Sequence, residues 1–424
     1  MQPPPSFHGR ALAACLAASA AGAANAVPGG NSAGGDLTII NARIYTSPDV
    51  TPIEHGTLVV RDGRIVAVET GAQAASVPGV TMIDARDAAV TAGFWNCHVH
   101  IQTPTLLRAS ERSAQQLTDE LQAMFTHWGF TTVFDVASLL VNTEVIRQRI
   151  ATGEVTGPRI LTVGGPFYPL HGTPVYVRKF LADNQIPSAE VASAAEARAR
   201  ARRQLAQGAD GVKVFTGAIV GGDIGVLPMP LAIATTVVAE ADRVGKPAFA
   251  HPSNAQGVEI AIASGVGVLA HTAPMMGPWS AQLVARLRAH HMALVPTLML
   301  FEIEEQKSGA SAADIERLDQ ITTQQLKAFA EAGGLVLFGT DIGYIDVYDT
   351  TRELRLMSRA LGWRQILASL TINPAQRFLQ RGGVITPGAP ADLTIIDGDP
   401  ATDITALARV RYTIRDGRVL YRSE

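Results

Sequence analysis

The sequence predicts a (β/α)8 TIM barrel joined to a small β-sandwich that is built from both chain ends. Three observations carry this. The middle of the chain, about residues 91–380, alternates short β-branched apolar runs with helical stretches. Both flanks are instead dense in short strand signals joined by Asp-Gly turns. Several of the middle runs end in His or Asp, and barrel active sites sit at the C-terminal ends of the strands.

The chain has 424 residues, enough for one large domain and a small one. Hydrophobic residues make up 47% and charged residues 17%, so a sizeable core can be buried. The net charge of −3 comes without a basic stretch, which argues against a nucleic-acid partner. The first 26 residues read as an export signal: Arg10, a short Ala-rich apolar run, and Ala24-Asn25-Ala26 at a small-X-small cleavage site. The mature protein is therefore expected in the periplasm or outside the cell. No later run approaches the length of a membrane span. Of the two cysteines, Cys15 leaves with the signal and Cys97 remains, so no internal disulfide is expected.

Residues 27–35 form a Gly/Ser/Pro-containing linker. Residues 36–90 carry the strand runs LTII (37–40), TLVV (57–60), RIVAV (64–68) and TMI (81–83), with a hairpin turn at Asp62-Gly63. Residues 385–424 repeat the style with ADLTIID (391–397), VRYTI (410–414), a turn at Asp416-Gly417, and RVLY (418–421). Neither end has enough strands alone, and together they make one sandwich. The barrel is expected over residues 91–384. Its first strand, 88–92, runs into His98-Val99-His100. The next seven runs are 131–135, 159–163, 211–215, 247–251, 266–271, 293–297 and 335–341, with helices at 189–207, 230–244 and 312–332 among the connections. The runner-up is an open doubly wound sheet. It lacks a Gly-rich phosphate loop after its first strand.

Residues two apart on a strand share a face, so His98 and His100 aim two imidazoles at one point, and Cys97 and Val99 face away. Neutral imidazoles converging on one spot suit zinc. The fifth strand ends in His251, the sixth in His271 and the eighth in Asp341. Lys213 lies inside the apolar fourth run, GVKVF. A buried unpaired ammonium is costly, and carboxylation by carbon dioxide would turn it into an anionic ligand able to bridge two metals.

These segments make the chain similar to the amidohydrolase superfamily, in the branch of exported imidazolonepropionase-like, prolidase-like and ochratoxin-amidase-like enzymes. The matching stretches are AGFWNCHVH (92–100), GADGVKVF (208–215), FAH (249–251), VLAHT (268–272) and FGTD (338–341), with GAPADL (388–393) in the closing β domain. The resemblance implies two divalent ions, Zn2+ first among them. His98, His100 and Asp341 would hold one and His251 and His271 the other, with carboxylated Lys213 between them. It also implies that Asp341 moves the proton from water to the leaving amine.

His171 follows the third strand on the catalytic side, at the position where such relatives carry a substrate-contacting His-Gly, and is read as touching the substrate or its oxyanion. Tyr176, Trp279 and Tyr344 stand for the aromatic loops expected to bind an apolar substrate. Arg178 could neutralise a substrate carboxylate. His290 and His291 end a helix and His127 sits beside Trp128, so these are read as structural. The expected function is cleavage of a C–N bond in a small, partly apolar or aromatic N-acyl compound. A prolidase-like dipeptidase is the near alternative, and lactone or carbamate hydrolysis uses the same chemistry. A non-catalytic barrel is disfavoured, because none of the six ligand positions is missing. The expected partner is a small molecule, and a homo-oligomer stays open.

Overall fold

The computed structural model describes residues 34–71 and 80–424. The expected export signal lies outside the described residues. No helix among the described residues is long and apolar enough to cross a membrane.

The two chain ends form one mixed sheet of eight strands. Leu37–Ile44 is its hub. It pairs antiparallel with Ile53–Arg61 on one edge, and the other edge is shared by Thr81–Asp84 and Ala89–Ala92. Ala89–Ala92 then pairs with Leu393–Ile396, which carries Val410–Arg415 and Arg418–Arg422. This fork lets one sheet supply both layers of the sandwich. Its core mixes both ends of the chain, for example Leu37, Ile39, Leu58 and Val90 with Leu393, Ile395 and Ile414. Ala89–Ala92 therefore belongs to the sandwich and not to the barrel, and Gly93 separates it from the first barrel strand.

The barrel strands are β1 (Phe94–Val99), β2 (Phe130–Asp135), β3 (Arg159–Thr162), β4 (Val212–Val214), β5 (Ala248–Ala250), β6 (Val268–Ala270), β7 (Ala293–Val295) and β8 (Leu335–Val336). They run parallel as β1-β2-β3 and β4-β5-β6-β7-β8. Two seams close the ring. Phe167 N donates to Lys213 O at 2.8 Å, and Phe215 N returns a bond to Phe167 O at 2.9 Å. On the other side Cys97 N reaches Phe338 O at 2.8 Å and Asp341 N reaches His98 O at 2.9 Å. Among the helices, Ala194–Ala206 starts later than the sequence suggests. Ser193 caps it by accepting from Glu196 N, and Glu190–Val191 before it forms a short strand.

The interior is filled by apolar side chains from every strand but β4, among them Trp95, Cys97, Phe134, Phe249, Val268 and Leu337. In β4 the inward residue is Lys213, in register with Phe249. Between Asn96 and Val99, β1 spends one residue more than β2, which is a bulge. It breaks strict alternation, so Cys97 packs in the interior although His98 and His100 line the cavity above. The expectation that Cys97 turns away from them is corrected by this bulge.

Gly93 N donates to Asp392 O at 2.8 Å, tying barrel to sandwich. A Cβ at position 93 would stand 2.3 Å from Thr131 Oγ1 and 2.5 Å from Thr131 Cγ2. Thr131 is buried and β-branched, so it cannot swing away. Gly93→Ala is expected to lower stability by about 1–3 kcal/mol, and Thr131→Ala in the same chain should recover part of it. Urea unfolding of the single and double variants checks this; an additive loss would show that the two side chains do not compete for this space.

Candidate metal centre

Six side chains of ligand type meet at the C-terminal mouth of the barrel. His98 and His100 leave the end of β1, His251 follows β5, His271 follows β6, and Asp341 follows the eighth strand's extension. With Lys213 of β4 they line one cavity of about 740 Å3. The imidazoles form a chain. Ring centres of His100 and His98 are 5.4 Å apart, those of His98 and His271 4.5 Å, and those of His271 and His251 4.6 Å. Asp341 Oδ1 lies 2.8 Å from His100 Nε2 and 3.4 Å from His98 Nε2.

Hydrogen bonds fix which nitrogen faces the centre. His100 Nδ1 is 2.9 Å from Ala137 O and can only donate to it, so Nε2 is the nitrogen that faces the centre. His271 Nδ1 is 2.7 Å from Thr297 Oγ1. His251 stacks on Phe215, with ring centres 4.5 Å apart. Burial pushes the pKa of His98, His251 and His271 well below the usual range, and the neighbouring Lys213 and other imidazoles add to this. They are therefore neutral at pH 7, as ligands must be. Burial also brings Lys213 down to about 7, against an opposing pull from Asp341.

Both ring nitrogens of His98 and Asp341 Oδ1 are buried without a hydrogen-bond partner. The 2.8 Å contact of Oδ1 with His100 is short but lacks hydrogen-bond geometry, so Oδ1 remains unsatisfied. Buried groups of this kind ordinarily find partners. The ligand atoms of His98, His100 and Asp341 lie within 4.8 Å of one another, close enough to share one ion.

The other expected site residues divide. Tyr176 and Tyr344 line the cavity, their rings 5.3 Å apart. Tyr176 Oη is 3.5 Å from His251 Nε2, and Tyr344 Oη donates to Glu304 at 3.0 Å. His171, Arg178 and Trp279 are not among the cavity's lining residues. His171 is exposed in a turn with φ 61°, its backbone N–H held by Glu190. Arg178 is spent on the carbonyls of Thr173 and Val220. Trp279 is buried edge-on against Phe329, under the helix Ala312–Glu331, with Gln324 holding its backbone. Lining residues that the sequence alone did not single out include Phe180, Phe215, Arg200 and Glu304. Phe215 was legible, because it sits two residues after Lys213 on the same strand face. Phe180 shares an apolar i, i+3, i+4 pattern with Val177 and Leu181 on the helix Val175–Asp183.

The sequence matches the Amidohydrolase family over residues 89–420. The chain belongs to the amidohydrolase family. Its barrel and its composite sheet follow from that membership, members use divalent metal ions, and the cluster of His98, His100 and Asp341 fits metal binding. A search of curated proteins finds no match. Among solved structures, a Xaa-Pro dipeptidase with bound methionine is 22% identical with a TM-score of 0.77, covering 92% of this chain and 100% of that one. Molinate hydrolase is 20% identical with a TM-score of 0.74, over 91% of this chain and 95% of its own. The ochratoxinase of A. niger is 18% identical with a TM-score of 0.72, over 92% and 96%. At these identities the likeness is one of fold.

The depressed Lys213 has a stability consequence. The unfolded chain keeps that proton up to a pKa of about 10.5, whereas the folded metal-free chain releases it near 7. Between those values the unfolded state binds more protons, so the stability of the metal-free protein rises with pH across that window. At pH 7 the amine costs roughly 4 kcal/mol. Metal-free Lys213→Met is expected to be more stable than wild type at pH 7 by a few kcal/mol, with the gap closing toward pH 10. Urea unfolding after chelation at several pH values tests this. A gap independent of pH would mean that the amine is not the cause.

Proposed function

We propose that this amidohydrolase is an exported two-metal enzyme that cleaves the C–N bond of a small N-acyl compound with an apolar or aromatic part. The observation that carries the reading is the set of six convergent ligand-type side chains, five of them buried and His251 half-buried, opening into one apolar cavity. His98, His100 and Asp341 would hold one ion and His251 and His271 the other. Lys213 would lie between them as its carbamate, formed when the neutral amine adds carbon dioxide and releases a proton. Zn2+ suits the mixed imidazole and carboxylate donors. When bound, the ions supply an acidified water and a Lewis acid for the scissile carbonyl.

The chain's own groups account for the rest. Asp341 Oδ1 has no hydrogen-bond partner and can accept a proton from the attacking water and deliver it to the leaving nitrogen. Burial raises the pKa of Tyr176 well above the usual range, so its hydroxyl keeps its proton and can donate to the developing oxyanion. That is the role expected of His171 from the sequence. Phe180, Phe215, Leu300 and Phe301 supply apolar wall against which an aromatic or aliphatic acyl group sheds water. The solved relatives bearing the names ochratoxinase and molinate hydrolase support this reading.

A dipeptidase reading has one observation in its favour. Arg200 lines the cavity and forms no carboxylate ion pair among the described residues. Its hydrogen bonds go to the carbonyls of Ala189 and Pro166. Relatives described as a Xaa-Pro dipeptidase and prolidases point the same way.

The deciding experiment is turnover of the Zn2+-loaded protein on aromatic N-acyl amides, Xaa-Pro dipeptides, lactones and carbamates. The amides should be turned over fastest, and activity should vanish on chelation and return with Zn2+. Asp341→Asn should lose roughly 10^2–10^4-fold in kcat while remaining folded. Faster turnover of Xaa-Pro dipeptides would replace the substrate reading, and metal-independent activity would end the mechanism. The export reading is tested separately, by N-terminal sequencing of the protein secreted or released from the periplasm. It should begin at Val27; a mature chain retaining residues 1–26 would remove that part.

A further inference from the structure

Thr297 stands where a helix cap belongs and does not cap. It immediately precedes the helix Leu298–Lys307, and Ser, Thr, Asp and Asn normally serve there by accepting a backbone N–H from the first turn. The Thr297 side chain makes no such bond. Its backbone has φ 46° and ψ 52°, a left-handed conformation that a β-branched residue adopts only under constraint. Its hydroxyl lies 2.7 Å from His271 Nδ1 instead. His271 is itself held at φ 144°.

The cap is supplied from elsewhere. Glu353, on the helix Thr351–Ser358, is fully buried. One of its oxygens accepts from Leu298 N at 2.9 Å and the other from Met299 N at 2.6 Å. These are the first two N–H groups of the helix that Thr297 leaves uncapped. A carboxylate at a helix N-terminus also suits the local dipole. Two acceptor oxygens thus satisfy two donors, and the Thr297 hydroxyl is released to hold an imidazole.

We propose that Glu353 is a positioning residue for the metal centre: by capping the helix in place of Thr297, it frees and fixes the Thr297 hydroxyl that orients His271. With Nδ1–H donated to Thr297 Oγ1, His271 Nε2 keeps its lone pair and faces the cavity, 3.9 Å from Asp341 Oδ2. The relay runs from Glu353 through two backbone N–H groups to a strained turn, then to one hydroxyl and one ring. This inference rests on the reading of His271 as a metal ligand.

The test is Zn2+ binding to chelator-stripped protein, followed by competition with a chromophoric chelator, together with the visible spectrum of the Co2+ form. Glu353→Gln keeps the volume but turns one acceptor into a donor facing an N–H. It should weaken one Zn2+-binding step by roughly 10–100-fold, the usual range for partners that orient metal ligands. The other step should stay within about threefold, and the Co2+ spectrum should change. Thr297→Val, which removes the hydroxyl, should do the same, and Thr297→Ser, which keeps it, should behave as wild type. Glu353→Gln with unchanged Zn2+ affinities, whatever its thermal stability, would reduce Glu353 to a helix cap and overturn the proposal. If Glu353→Gln does not fold, the Thr297 pair decides, because equal affinities for Ser and Val would also overturn it. A wild-type protein that binds a single ion sinks the two-metal reading. The Ser and Val comparison on that ion then still decides whether Thr297 orients a ligand.

Discussion

His98 has two buried ring nitrogens and no hydrogen-bond partner for either, and Asp341 Oδ1 beside it is in the same condition. An unsatisfied buried polar atom costs about 1–3 kcal/mol, more when it is charged. Lys213 adds an amine on the barrel's inward face, where the other strands place apolar side chains. A fold keeps such groups together only if something else completes them. The same burial that makes them costly also prepares them. It keeps the imidazoles neutral and the lysine close to its neutral form at physiological pH. Desolvation is therefore both the penalty these side chains carry and the reason the donor set suits a cation.

Backbone strain is found at the same place. Ser253, His271, Thr297 and Asp341 all have positive φ without being glycine. Each lies one to three residues beyond the end of a barrel strand or its extension, where the chain must turn a side chain into the cavity. Such conformations persist only when their surroundings over-determine them. Here they are held by specific bonds: Asp341 N to His98 O, Ser253 Oγ to Gly217 O, and the Thr297 hydroxyl to His271. Thr297 is thus bonded to one of the six convergent side chains and His271 and Asp341 are among them, with Ser253 lining the same cavity, so the geometry of the centre and the strain around it form one problem.

The barrel is legible in the sequence because its period switches from strand to helix and because polar residues close apolar runs. The convergence of the six candidate positions on one cavity is legible for the same reason. One His or Asp closing a β-branched run means little, but several in chain order, each at a strand end, converge once the strands form a ring. What the sequence hides is tertiary. The runs 88–92 and 94–99 look continuous, yet a glycine without room for a methyl splits them between two layers. The bulge in β1 cannot be read from alternation, because it depends on the pairing with β2. Trp279 resembles a pocket aromatic by composition, and only the long helix packed over it shows that its ring belongs to the core. His171 and Arg178 follow the third strand on the expected side, but Glu190 holds His171 in a turn and the backbone carbonyls of Thr173 and Val220 hold the Arg178 guanidinium, so neither joins the cavity lining that their neighbour Tyr176 reaches. Sequence proximity to a strand end is thus a good guide for the first residue past the strand and a poor one farther along the loop.

The composite sandwich holds the barrel on the face opposite the mouth. Its contacts fall at the opposite ends of the barrel strands. Thr394 Oγ1 donates to Gly129 O just before β2, Thr413 Oγ1 reaches Thr126 O, and Arg415 reaches Gly157 O just before β3. Arg159, the first residue of β3, pairs with Asp392 at 3.5 Å. The first three strands are therefore anchored at their N-terminal ends by residues from the last part of the chain. The candidate site lies at the other face, as active sites do in barrels generally. Joining the two chain ends through one sheet also ties β1, with its bulge and its two histidines, to residues beyond 390. The first two histidines of the candidate centre thus sit on a strand whose base is held by the closing strands of the sandwich.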